Sequence, residues 1–197
     1  MPPLRKDLES PMGGLWLMMI FTAIWTVIAE WALEFKDYGG VGGFFLLVTL
    51  YFLAHYIKFY RVQQLLPETP ENAETPEERK RSRQFLYIFG TEGLAILVVK
   101  NILANTKLDY LFIPCLALIV GLHFFPLAKI YKRKFDYYVA TWTTFVGLIG
   151  LALIVEKMIA PNTAIAIVGI GCALATTANG LRAVINGNRM IGRSYPD

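Results

Sequence analysis

Apolar residues run through this chain in blocks of about twenty, and the charged residues gather between the blocks instead of alternating with them. Six runs stand out, at 15–33, 41–60, 85–104, 108–128, 138–156 and 163–185. A helix rises about 1.5 Å per residue, so about 20 apolar residues cross the roughly 30 Å hydrocarbon layer of a bilayer. Strands of a membrane barrel would be about half that length and would alternate apolar with polar positions, which these runs do not. The pattern predicts an all-α integral membrane bundle of six transmembrane helices, forming a single transmembrane domain over 1–197.

Composition agrees. Of 197 residues, 55% are hydrophobic and 17% charged, more apolar length than the core of a soluble protein this small could bury. Residues 1–14 read as a short polar arm with Pro2, Pro3 and Pro11, ending at Gly13 and Gly14. The first run lacks a small-x-small cleavage site before its acidic exit, and it is expected to remain as a span. Trp16 and Trp31 mark its two ends, where amphipathic rings suit the headgroup region. The long polar connector 61–84 is acidic and proline-bearing at first and closes on Arg79, Lys80, Arg81 and Arg83. Within it, Thr75, Pro76 and Glu78 have the spacing of a capping box with proline at the first helical position, so a short surface helix is expected to lead into span three.

Charge then orients the bundle. Of the 19 Lys and Arg, fifteen lie in the amino-terminal arm, in the 61–84 connector with Lys58, at 129–136 and at the carboxyl end. The four others, Lys36, Lys100, Lys107 and Lys157, fall on the opposite side. The positive-inside rule places both termini in the cytoplasm. The net charge of +4 adds no basic patch interleaved with exposed aromatics, and no nucleic-acid partner is implied. Cys115 and Cys172 both lie within apolar runs and read as packing residues.

Ionisable groups inside a span are costly, and they usually face the protein interior or a water-filled cavity. Counted from the span ends, His55, Glu92 and His123 occupy one layer in the cytoplasmic half, and Asn179 and Arg182 descend to the same level. Carboxylate, imidazole and guanidinium together could bind an ion, relay protons or hold an anionic headgroup. The plainer reading gives each histidine a backbone or tyrosine partner and lets Arg182 snorkel to phosphate. Glu30 and Lys100 form a second layer in the outer half, either pairing across helices or lining a vestibule. Glu156 and Lys157 read as interfacial.

Two spans carry further signals. In span six Gly171, Ala175, Ala178 and Arg182 recur every three or four residues, a stripe suited to close helix packing with a polar end. In span four Pro126 cannot donate to the Leu122 carbonyl, which predicts a kink or local cavity beside His123. The run from Gly121 to Ala128, GLHFFPLA, together with KNIL from Lys100 and the basic exit after it, resembles small bacterial six-span membrane proteins of uncharacterised function. That resemblance implies the membrane class and a bacterial inner-membrane location. It carries no catalytic role.

Three functions fit these residues. The leading one is a small-solute or ion transporter using the Glu/His/Arg layer, assembled as a homo-oligomer and in contact with membrane lipid. The second is a membrane-embedded enzyme acting on a lipid or isoprenoid, with His55, Glu92 and His123 as acid, base or ligand. Against it, no H-E-x-x-H spacing and no carboxylate-rich magnesium motif occurs, so no catalytic residue, metal or cofactor is assigned. Two opposed histidines holding a haem would be a variant of this reading. The third is a structural or accessory protein whose polar groups merely pair.

Overall fold

The structure, a computed structural model, describes residues 5–37, 39–67 and 75–194. The prolines at 2 and 3 and the acidic stretch 68–74 of the long connector lie outside the described residues. Six helices follow one another: α1 (Arg5–Leu33), α2 (Gly40–Gln63), α3 (Pro76–Asn105), α4 (Phe112–Tyr131), α5 (Lys134–Val155) and α6 (Pro161–Ser194), with one 3₁₀ turn at Asp109–Leu111 before α4. All six are long and apolar enough to cross a membrane. The chain is a polytopic, all-helical membrane protein.

Three boundaries differ from the sequence expectation. The supposed polar arm is helical from Arg5, and α1 runs through Pro11 without stopping. Its amphipathic spacing explains this, because Leu8, Met12, Leu15 and Met19 form one buried stripe that packs with Phe52, Phe59 and Val184. The surface helix expected after Thr75 does form, and it is continuous with span three as α3. Its capping box is complete, with the Thr75 hydroxyl accepting from the Glu78 N–H and the Glu78 carboxylate accepting from the Thr75 N–H. Helix α6 continues past 185 to Ser194, so its last turns reach the end of α2.

Helix α6 is the centre. It packs most extensively on α1, then on α5, and also touches α2 and α4. Small residues allow the approach. A Cβ built on Gly169 would meet the Ala29 N and the Trp25 carbonyl at 3.0 Å, so those two backbones nearly touch. On another face, Phe52 and Phe59 of α2 press onto Gly180 and Gly187 of α6, seven residues apart on each helix. Both rings are fully buried. This matched seven-residue repeat lets α2 and α6 run parallel with each ring seated in a glycine gap. Polar groups across the same interfaces are paired. The Thr22 and Thr176 hydroxyls lie 2.8 Å apart, and the Trp142 indole donates to the Gly171 carbonyl at 2.9 Å.

Contacts between helix ends show which ends lie together. Lys6 pairs with Glu78, Lys58 donates to Asn188 and Arg133 donates to Ser10, which gathers the starts of α1, α3 and α5 with the ends of α2 and α6. This is the basic end. At the opposite end, α1 and α2 are joined by a tight turn in which Asp37 accepts from the Gly39 and Val41 N–H groups. Those bonds, Val41 foremost, hold the partly exposed Asp37 carboxyl below its ordinary range.

Helix α3 is the outlier. It packs along α4 but builds no comparable interface with α1 or α6, and nearly all of its surface is uncovered by protein. Gly90 and Gly93 on it face open space. Two glycine classes therefore respond differently to added side chains. Gly180→Leu is expected to overpack the α2–α6 seam and lower stability by about 1–3 kcal/mol, whereas Gly93→Ala is neutral or slightly stabilising. Thermal unfolding in detergent, followed by size-exclusion chromatography, checks this. Equal tolerance at the two sites would contradict the seam.

Candidate functional site

Helices α3 and α4 bring the first pair together. The face of α3 toward α4 carries Phe85, Phe89 and Glu92 at helical spacing, and the matching face of α4 carries His123, Leu127 and Tyr131. The His123 ring sits edge-on to Phe89, with centroids 5.5 Å apart, and beside Phe124. Its Nδ1 lies 3.2 Å from Oε1 of Glu92, and each side chain is only 10% exposed. The nitrogen is not aligned for a hydrogen bond in this arrangement. In such an apolar setting the pair is tolerable in two net-neutral forms, carboxylic acid with imidazole or carboxylate with imidazolium. They differ by the position of one proton.

A second pair stands where α5 begins. Asp136, in the first turn of α5, is buried and accepts from the Arg182 guanidinium of α6 at 2.9 Å. Arg182 also lies over the Phe135 ring, 5.2 Å from its centroid. Beside them Arg133 donates to the Ser10 hydroxyl of α1 at 3.0 Å and covers the Tyr131 ring. One side of α6 adds Asn179 and Asn186 to this polar group, three and four residues either side of Arg182.

Between the two pairs is a cavity of about 670 Å³. His123 and Phe89 form part of one wall, and Arg133, Asp136, Asn179 and Arg182 form the other. Residues of α1 from Glu9 to Phe21 close a third side. That volume is within the usual range for small-molecule sites, about 300–1,000 Å³. Arginine, amide and imidazole donors converge on it from three helices.

The sequence-predicted residues therefore separate. His123, Asn179 and Arg182 meet around one cavity, with Glu92 behind His123. His55 does not join them. It belongs to α2, which packs on α1 and α6, and its Nδ1 lies 3.0 Å from the Tyr51 carbonyl within its own helix. Level along the membrane normal says nothing about which side of the bundle a helix occupies. A haem held between His55 and His123 loses its premise for the same reason.

Glu30 and Lys100 do not pair either. The buried Glu30 carboxylate accepts the Gly42 N–H at the start of α2, leaving Oε2 enclosed without a hydrogen-bond partner among the described residues. Lys100 is exposed on α3, 6.0 Å from the Phe112 ring centroid. Pro126 lies within α4, which is continuous to Tyr131, and neither it nor Leu122 lines the cavity that His123 borders. Among the described residues no three His, Cys, Asp or Glu side chains gather in a metal-binding group.

Sequence reasoning missed Arg133, Asp136, Ser10 and Asn186. The first two were absorbed into the basic exit after span four, although one acid among four nearby cations is a signal of pairing. Asn186 fell beyond the assumed end of span six, yet it continues the polar side of Asn179 and Arg182.

Compared with known proteins, the chain matches no family model, no curated protein and no solved structure.

The Asp136–Arg182 pair is testable as a unit. Arg182→Gln leaves the buried Asp136 carboxylate without its hydrogen-bonded partner and with only the nearby Arg133 charge, which costs up to roughly 3–5 kcal/mol, and adding Asp136→Asn to it should recover most of that loss. Unfolding of the single and double variants in detergent measures the coupling, and strictly additive losses would argue against it.

Proposed function

We propose that this protein is a small proton-linked transporter of the bacterial inner membrane, with its basic end in the cytoplasm and the cavity as its solute site. The observation that carries this reading is the placement of His123 in the cavity wall with Glu92 behind it on a different helix. A change in protonation of this pair alters the wall of the solute site directly. The positive residues of the opposite wall, Arg133 and Arg182, suit an anionic solute.

The rest of the bundle supports the reading. Beyond Phe21 toward the opposite end, the path is filled by Trp25, Val168 and Cys172 and crossed by the Thr22–Thr176 bond. The structure thus has one accessible end and one packed end, the arrangement that a carrier adopts in one of its two states. Helix α4 packs most extensively on α5, which in turn packs on α6, whereas α3 is held mainly through α4, so a displacement of α3 against α4 would change access to the cavity. An enzyme reading lacks an equivalent support, because among the described residues that line the cavity no hydroxyl or thiol is hydrogen-bonded to a general base.

Orientation and coupling have separate tests. A periplasmically active reporter fused after residue 107 should be active, and the same reporter fused after residue 84 should be silent; the reverse pattern would invert the bundle. For coupling, the protein is reconstituted in vesicles containing a pH-sensitive dye and challenged with a panel of soluble and membrane-borne anions. Proton movement is expected with the anion that binds. Glu92→Gln should abolish that movement while leaving binding within about three-fold, since Glu92 stands behind the wall and not in it. Binding without any proton movement in the unaltered protein would refute transport of this type.

A further inference from the structure

Resting on that reading of the cavity, we propose that its occupant is a phosphate-bearing lipid drawn sideways from the leaflet at the basic end, through a gap between α1 and α3. Three observations lead there.

The first is the shape of the enclosure. Gly13, Gly14 and Leu17 of α1 and Phe85 and Phe89 of α3 line the cavity from opposite sides, yet the two helices do not pack along each other. Cβ atoms built on Gly13 and Gly14 meet nothing within 4 Å. Helix α3 is held to the bundle by α4, and to α1 by the Lys6–Glu78 ion pair of 2.8 Å at the basic end. That strut spans the side facing water, whereas the side facing the bilayer core has no such bridge among the described residues.

The second is the order of chemistry along α1. Glu9 and Ser10 line the cavity at the level of Arg133, and Leu17 and Phe21 line it further in. From Gly14 to Phe21 is about 10 Å along the helix. Charged donors therefore stand where headgroups stand, and an apolar wall continues toward the middle of the membrane. A soluble anion would use only the first part of such a site. An amphiphile oriented as the leaflet orients it would use both.

The third is the charge at the polar end. Asp136 bonds Arg182 and also feels the charge of Arg133, so one carboxylate stands against two guanidiniums, and Arg133 directs its hydrogen bond to the neutral Ser10 hydroxyl. Glu9 stands exposed at the rim. A phosphoryl group could take the Arg133 donors with support from Arg182 and Asn186, forming the charge-assisted bonds that arginine makes with phosphate.

The test is retention of ligand by the purified protein, read by native mass spectrometry in detergent. The probes are phosphatidic acid, a neutral diacylglycerol, glycerol phosphate and inorganic phosphate. One phosphatidic acid per chain is expected to be retained, with diacylglycerol, glycerol phosphate and inorganic phosphate each at least ten-fold weaker. Arg133→Gln should weaken retention roughly ten-fold. Gly14→Phe should displace the lipid by occupying the cavity, and because that glycine faces open space it should leave the elution profile and thermal unfolding unchanged. Retention by a correctly folded Gly14→Phe variant equal to that of the parent would overturn the proposal, placing the lipid elsewhere on the surface. Inorganic phosphate or glycerol phosphate binding as tightly as the lipid would overturn the lipid assignment and leave the transport reading intact. Retention of lipid without proton movement would support the site while refuting transport, so the two failures are separable.

Discussion

The close approach of α6 to its neighbours is the constraint on which the rest of this bundle depends. Within a bilayer, lipid chains compete equally well for apolar side chains, so helices associate through tight packing and through polar groups that bond across the contact. Helix α6 supplies both. Gly169 admits the backbone of α1, Gly180 and Gly187 admit the rings of α2, and Gly171 presents its carbonyl to Trp142 of α5. With three neighbours fixed on one axis, the side of α6 carrying Asn179, Arg182 and Asn186 is left facing the cavity. Its position there is a consequence of the packing on the other faces. The first two of these residues need no special loop to hold them.

Ionisable groups within the bundle follow a related constraint. Each is costly in an apolar setting unless it has a partner, and the partners come from other helices or from backbone N–H groups freed at helix starts. Arg182 has Asp136, His123 has Glu92, and Glu30 uses the first turn of α2. The first two pairs join different helices at the basic end, and the cavity occupies the space between them. Glu30 closes a hairpin at the other end. Residues of similar appearance in the sequence thus divide into a site and a structural clasp according to what stands across from them.

This division explains how much was legible in the sequence. Span number and type follow from the lengths of the apolar runs, because the hydrocarbon layer imposes a length that helices satisfy and other structures do not. The capping box at Thr75 is local chemistry and was readable. Helix ends were not, since α1 and α6 continue past the apolar runs on amphipathic stripes such as Leu8, Met12 and Leu15, whose burial depends on helices distant in sequence. The site was readable in depth but not in azimuth. Glu92 and His123 were grouped with His55 because all three lie at one level, yet α2 packs on α1 and α6 and builds no comparable interface with α3 or α4. Asp136 was hidden by its basic neighbours, and only the position of α6 reveals that it is buried against Arg182.

The unequal attachment of α3 gives this arrangement its mechanical meaning. A helix that packs chiefly on α4, and meets α1 at the basic end through contacts such as the partly exposed Lys6–Glu78 ion pair, can shift at little cost, because few buried contacts need to be broken. Its one buried carboxylate, Glu92, is also the group that completes the His123 pair. Moving α3 away from α4 would leave Glu92 and His123 facing each other across a longer distance, and the ion-paired form would lose more than the neutral form because its attraction falls with separation in a poorly screened medium. On the transport reading, proton position and helix position would be linked within the same two residues. The cavity wall that responds, at Phe89 and His123, is the wall that faces Arg133 and Arg182. A bundle whose other helices are held by close glycine contacts, and whose most loosely held helix carries Glu92, has its least constrained element beside the cavity.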